Sequence, residues 1–245
     1  MTEVPPDHPR YRSLLARERL AACAREGVVT PEGLAAHGRG EAFDYLLGER
    51  TTESALLAER TAAALLLSAR SPVISVNGNT AALAPEAIAD LQAASRARVE
   101  VNLFHRTEER VVKITRLLEA AGAEVLAGRA EPLLPLAHPR ALCLREGIFS
   151  ADTILVPLED GDRCAALVGM GKKVIAVDLN PLSRTARTAT LTVVDELTRA
   201  LPNMSRACRE IRPGEAEKLM SFPEHSYFLR AALDAMWGNL EHALD

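Results

Sequence analysis

The chain is short of the residues that read nucleic acid. Aromatic residues make up 4% of its 245 positions, and the formal net charge is -4. Base stacking needs aromatic rings and a phosphate backbone needs a basic excess, so nucleic acid is not an expected partner. Long hydrophobic runs are missing too. The longest, Ala62 to Leu67, is far short of the roughly 20 residues that cross a bilayer, and no membrane role is expected. The opening MTEVPPDHPRYR has no apolar segment and does not read as a signal peptide. Cysteine occurs four times, at 23, 143, 164 and 208, without a CxxC pair or metal-ligand spacing. Buried free thiols in a reducing compartment are expected, with the cytoplasm as default location. GxGxxG and Walker A sequences are also absent, which excludes the two commonest nucleotide fingerprints.

What is present is an ordinary globular composition, 48% apolar and 25% charged, long enough to bury a sizeable core. The first part reads as helical. Pro9 to Arg25 is amphipathic, Thr30-Pro31-Glu32 opens a short helix, and Thr51 to Ser68 is apolar enough to be mostly buried. Between the last two, His37 to Glu49 reads as a charged loop in which Gly38 and Gly40 free Arg39 to meet a ligand.

From Ser71 the period changes. Strands are expected at 72–76, 99–104, 123–126, 153–157, 174–177 and 190–194, alternating with helices, including one near Pro139 to Glu146 and one from Glu196 to Ile211. This predicts an α/β, Rossmann-like fold: a largely parallel sheet flanked by helices over 71–212, an N-terminal helical part over 1–70 and a loosely coupled helical tail over 213–245.

Polar residues gather where the strands end, the edge at which open α/β sheets bind ligands. Asp178, Asn180, Arg184 and Thr185 follow the strand at 174–177 and read as a nucleotide site. Asn77-Gly78-Asn79-Thr80 reads either as an anion cradle or as a turn built on Asx chemistry. His105 and Arg106, before Thr107 as a helix cap, read as a second anion site or as solvated charge. Glu159, Asp160 and Asp162 either hold Mg2+ beside a triphosphate or cap the next helix.

Five ordered blocks then carry a resemblance: HGRGEAFDYLLGE (37–49), PVISVNGN (72–79), VEVNLFHRTEER (99–110), VPLEDGDR (156–163) and VIAVDLNPLSRTA (174–186). Together they strongly resemble the archaeal phosphopantothenate synthetase family, also called 4-phosphopantoate–β-alanine ligase, over roughly residues 9–206. The resemblance implies a cytosolic homodimer of coenzyme A biosynthesis. It would join 4-phosphopantoate to β-alanine while ATP is cleaved to AMP and diphosphate through an acyl-adenylate. It carries ATP contacts onto Arg17, Arg39, Asp178, Leu179, Asn180, Arg184, Thr185, Glu196 and Leu197. At Glu196 relatives are expected to carry Asn, and an ionised Glu cannot donate the same hydrogen bond. The second anion site, Asn77, Gly78 and Asn79 with Arg106, is then the expected seat of phosphopantoate, and His105 and Glu159 are candidates for the base in the amine step. The competing readings are a pantothenate synthetase acting on unphosphorylated pantoate and a nucleotide- or phosphosugar-sensing protein without turnover.

Overall fold

A computed structural model describes residues 5, 7, 8, 10–212, 214–221 and 224–243. Pro9 and Pro213, which bound the expected first helix and the tail, lie outside the described residues. Three helices come first: α1 (Tyr11–Arg25), α2 (Pro31–Leu47) and α3 (Glu53–Ser68). The side chains of Thr30 and Thr52 cap the starts of α2 and α3 by accepting from Gly33 N and Ala55 N.

The sheet comprises β1 (Pro72–Val76), β2 (Arg98–Val101), β5 (Thr153–Pro157), β6 (Lys173–Val177) and β7 (Leu191–Val193), all parallel, in the order β2-β1-β5-β6-β7. Val174 to Val177 are fully buried, as a central parallel strand covered on both faces requires. Helices α4 (Gly78–Leu83), α5 (Pro85–Ser95), α6 (Glu108–Ala120), α7 (Gly161–Gly169), α8 (Arg184–Thr188) and α9 (Leu197–Glu210) fill the connections. A small antiparallel pair, β3 (Glu131–Pro132) with β4 (Leu142–Cys143), lies apart from the main sheet. The largest core cluster runs from Leu20 through the strands to Phe228, so the first helices and the end of the chain share one core with the sheet.

Four expectations are corrected. His37 to Leu47 is not a loop but the body of α2. Gly33, one turn earlier, serves close approach rather than a break: its carbonyl accepts from Asn79 Nδ2 at 2.7 Å, and a Cβ there would collide with the Asn79 side chain. The strand expected at 123–126 reduces to one bridge, Val99 to Val125. The helix expected near Pro139 to Glu146 is a 3-10 turn, the strand β4 and an irregular turn from Arg145 to Phe149, because Glu100 reaches in to accept from Leu144 N and Ile148 N and captures backbone that would otherwise wind. The C-terminal segment is not loosely coupled. After α10 (Glu215–Ser221), α11 (His225–Glu241) buries Phe228, Ala232 and Met236 and packs on Leu47, Leu179 and Val194.

Candidate functional site

The chain leaves β1 for β2 on one side and returns to β5 on the other, so the sheet reverses direction between β1 and β5. Connections diverge there and open a crevice at the carboxyl ends of the strands. Asn77 stands at that point. Its Oδ1 caps α4 by accepting from Thr80 N at 3.0 Å, and its Nδ2 donates across the switch to the carbonyls of Pro157 and Leu158 at 3.0 and 3.1 Å. The Asx turn and the sheet-edge cradle are thus the same structure.

Over this edge lies a cleft of about 720 Å³, roofed by α2. Of the residues singled out in the sequence, Asn77, Gly78, Asn79, Arg39, His105, Glu159, Asp178, Leu179, Asn180, Arg184, Thr185, Glu196 and Leu197 all line it. Arg17 and Arg106 do not. Arg17 stands behind the wall, paired with Glu41 at 2.9 Å, and Glu41 does face the cleft. The side chain of Arg106 is one-tenth exposed and lies 3.8 Å from Glu108. The guanidinium that reaches the cleft in its place is Arg110, one helical turn on. It spans three carbonyls, donating to Gly27 O at 3.3 Å, Val28 O at 2.8 Å and His105 O. Those bonds use three of its five N–H groups.

At the β6 end, Asp178 is shaped by its own turn. Its carboxylate accepts from Asn180 N at 2.9 Å and from Ser183 Oγ. Burial pushes its pKa up, with those two hydrogen bonds and Arg39 opposing. Ser183 caps α8 in turn, accepting from Ala186 N at 2.8 Å, which places Arg184 and Thr185 in the first turn of that helix. Arg184 pairs with Asp162 across the exposed rim.

Glu159 takes a different part from the one expected of it. Its carboxylate is buried between Arg140 and Arg163, 2.8 Å from Arg140 Nη1, and Arg163 is itself anchored on Ser75 Oγ at 2.9 Å. Burial pushes its pKa up and the two guanidiniums oppose. A carboxylate clamped in this way is withdrawn from service as a free base; what it does is hold Arg140 at the cleft wall. Asp160 caps α7 through Oδ1, accepting from Arg163 N at 2.8 Å, so the capping reading holds. His105 is half-exposed at the cleft mouth, 3.8 Å from Glu32.

The cleft floor contains a network that no sequence motif announced. Asp195, at the end of β7, accepts from Thr51 Oγ1 at 2.6 Å and from Arg199 Nη2 at 2.6 Å, and Arg199 continues to Asp44 on α2. Thr51 and Asp44 lie some 150 residues from their partners and carry no local signal, unlike the Asp195–Arg199 pair four residues apart. Glu196 caps α9, its Oε2 accepting from Thr198 N at 2.7 Å, and burial pushes its pKa up.

For a divalent cation the donors are sparse. Among the described residues no three His, Cys, Asp or Glu side chains converge on one point. The one cleft carboxylate oxygen that is buried without a hydrogen-bond partner is Asp160 Oδ2, 3.1 Å from Arg140 Nε. A single carboxylate suits Mg2+ only when substrate phosphates and water complete its shell.

Comparison with known proteins agrees with the geometry. Residues 54–239 match the family model described as Phosphopantothenate/pantothenate synthetase. The curated 4-phosphopantoate--beta-alanine ligase of Methanospirillum hungatei is 58% identical over 242 residues, covering 99% of this chain and 100% of that protein. Its namesake from Methanosarcina mazei is 58% identical over 90% of this chain and 87% of its own length. The one from Thermococcus kodakarensis is 50% identical over 90% of this chain and 85% of its own length. Coverage and identity of this order leave one reading: the chain belongs to the phosphopantothenate/pantothenate synthetase family.

Proposed function

We propose that this protein is an ATP-dependent ligase that condenses 4-phosphopantoate with β-alanine, releasing AMP and diphosphate by way of an acyl-adenylate, in coenzyme A biosynthesis. The observation that carries the reading is one continuous cleft with cationic groups at both ends, Arg110 beside Asn77–Asn79 and Arg39 with Arg184 beside Asp178, in a chain so similar to curated ligases of that name. Two anionic substrates that must meet need separate cationic seats.

In this reading ATP lies along Asp178–Asn180, Arg184 and Thr185, with its base toward Glu196 and Leu197. A protonated Glu196, favoured by its burial, donates one hydrogen bond where relatives are expected to use Asn. Arg39 and Arg184 offset the repulsion between the pantoate carboxylate and the α-phosphate as they approach, where charge develops in the transition state. Arg17 acts through Glu41, holding α2 over the nucleotide. Mg2+ would sit among the phosphates with Asp160 as its protein ligand, neutralising the triphosphate. The phosphate of phosphopantoate takes the two spare N–H groups of Arg110 and the amides of Gly78 and Asn79, and that remote grip places the reacting carboxylate.

A homodimer is proposed from the resemblance. Trp237 and Leu240 on α11, 71% and 54% exposed, supply apolar surface for a partner. A cytoplasmic location is proposed as well; no helix among the described residues is long and apolar enough to cross a membrane. The test is an assay with ATP, Mg2+, β-alanine and either 4-phosphopantoate or pantoate. AMP formed with the phosphorylated acid alone is the expected result. AMP formed equally with pantoate would replace this reading by pantothenate synthesis, and ADP would replace the adenylate by an acyl phosphate.

A further inference from the structure

A second cavity, of about 270 Å³, lies behind the cleft among the start of α1, α2 and α9. Four residues face both spaces and form the wall between them: His37, Glu41, Asp44 and Glu196. The three acids are engaged, Glu41 with Arg17, Asp44 with Arg199 and Glu196 with Thr198. His37 is different. Its Nε2 is buried and has no hydrogen-bond partner. Burial holds the ring's pKa below its ordinary value, Glu41 opposing and Arg17 reinforcing. A neutral imidazole with its proton on Nδ1 presents a lone pair at Nε2.

The smaller cavity also holds an underused cation. Arg10 donates from Nη2 to Tyr45 Oη at 2.6 Å, but its Nε is buried without a partner. An unpaired basic nitrogen and an unpaired guanidinium N–H in one small polar space complement the two ends of an amino acid. Neither group is used by the nucleotide or phosphate seats described above.

We infer that the smaller cavity seats β-alanine, with its carboxylate on Arg10 and its amino group toward His37, which accepts the amine proton as the acyl-adenylate is attacked across the wall. This rests on the ligase reading. The ammonium first loses one proton to solvent. The nitrogen lone pair then attacks the acyl carbon, the C–N bond forms, and the C–O bond to the adenylate breaks. AMP leaves with that bond's electron pair, and the second amine proton passes to His37 Nε2 and on to solvent. Charged and titratable groups on the same wall and cavity are Glu41 and Asp44 from α2, Glu49 just after it, His8, Arg10 and Arg12 around the start of α1, and Glu196 and Arg199 at α9. Burial favours the neutral form of Glu196.

The test separates the two half-reactions in the full-length protein. Wild type is expected to exchange labelled diphosphate into ATP when phosphopantoate is present and β-alanine is not. His37→Gln is expected to keep that exchange while β-alanine-dependent ligation falls about 100-fold, the usual size of a lost general base. Arg10→Ala should keep exchange and raise KM for β-alanine roughly tenfold, the loss of one charged hydrogen bond. Ligation by His37→Gln at the wild-type rate would overturn the inference, as would loss of exchange in step with ligation. Absence of exchange in the wild type would overturn the adenylate reading itself, and this inference with it.

Discussion

Asp44 on α2 holds Arg199 on α9 through both carboxylate oxygens, Oδ1 to Nη2 at 2.5 Å and Oδ2 to Nη1 at 3.1 Å. The pair ties the roof of the cleft to its floor, because Arg199 also grips Asp195 at the end of β7. Both side chains are 13% exposed, and Arg199 keeps Asp195 when Asp44 loses its charge, so the loss is that of charged hydrogen bonds rather than of a stranded ion. Asp44→Asn is therefore expected to lower the unfolding free energy by about 1.5–3 kcal/mol. Urea titration of variant and wild type reads this directly, and a change below the error of the extrapolation would show that the pair is solvated.

Arg110 lines the cleft beside Asn77 and Arg106 does not, so the proposed anion seat makes opposite forecasts for the two. Arg110→Ala should raise KM for 4-phosphopantoate by about 10- to 100-fold, the range of 1.5–3 kcal/mol for a charged hydrogen bond, and leave KM for ATP near wild type. Arg106→Ala, whose side chain stays outside the cleft, should move neither constant. If the effects are exchanged between the two variants, the seat belongs to the loop before α6 rather than to its first turn.

Gly78 is fixed by space. A Cβ there would collide with the Val28 carbonyl and stand 3.1 Å from Arg110 Nη2. Relief requires moving backbone, so Gly78→Ala is expected to cost on the order of 1–3 kcal/mol as overpacking. Because the same displacement shifts Arg110, KM for phosphopantoate should rise with it. A variant as stable as wild type but weak for phosphopantoate would still place Gly78 in the seat; one altered in neither property would not.

Much of this was legible in the sequence, for identifiable reasons. The strands at 72–76, 153–157 and 174–177 are apolar runs closed by polar turns, and such runs have few alternatives once buried on both faces. The caps at Thr107 and Asp160 follow from local side-chain chemistry. The helix through His37–Leu47 is obscured in the sequence because Gly33, Gly38 and Gly40 suggest a break; of the three, Gly33 is fixed by space, where the Asn79 side chain comes too close for a Cβ. Arg110 was passed over for Arg106 because its partners are carbonyls of Gly27 and Val28, some 80 residues earlier. The clamps on Glu159 and Asp195 are half legible: Arg163 and Arg199 lie four residues on from their acids, whereas Arg140, Thr51 and Asp44 reach them from distant segments that spacing does not disclose.

Glu59 shows how such a hidden contact surfaces in a measurement. It lies on α3, fully buried, with neither carboxyl oxygen hydrogen-bonded. Burial, and then the charge of Asp195, raise its pKa from the ordinary 4.5 to about 9. In the unfolded chain the group ionises at the ordinary value. Between those two values the native state therefore holds a proton that the unfolded state has lost, and stability must fall as pH rises through that window, by up to about 1.4 kcal/mol per pH unit. Below the ordinary value both states are protonated and Glu59 contributes no slope. Glu59→Gln keeps the shape and removes the titration. Its melting temperature is expected to exceed that of wild type at pH 8 and to decline less between pH 6 and pH 9. Melting curves for the two proteins that run parallel across that interval would mean that Glu59 titrates as it does in water, and that its charge is met by the Asn203 side chain after all.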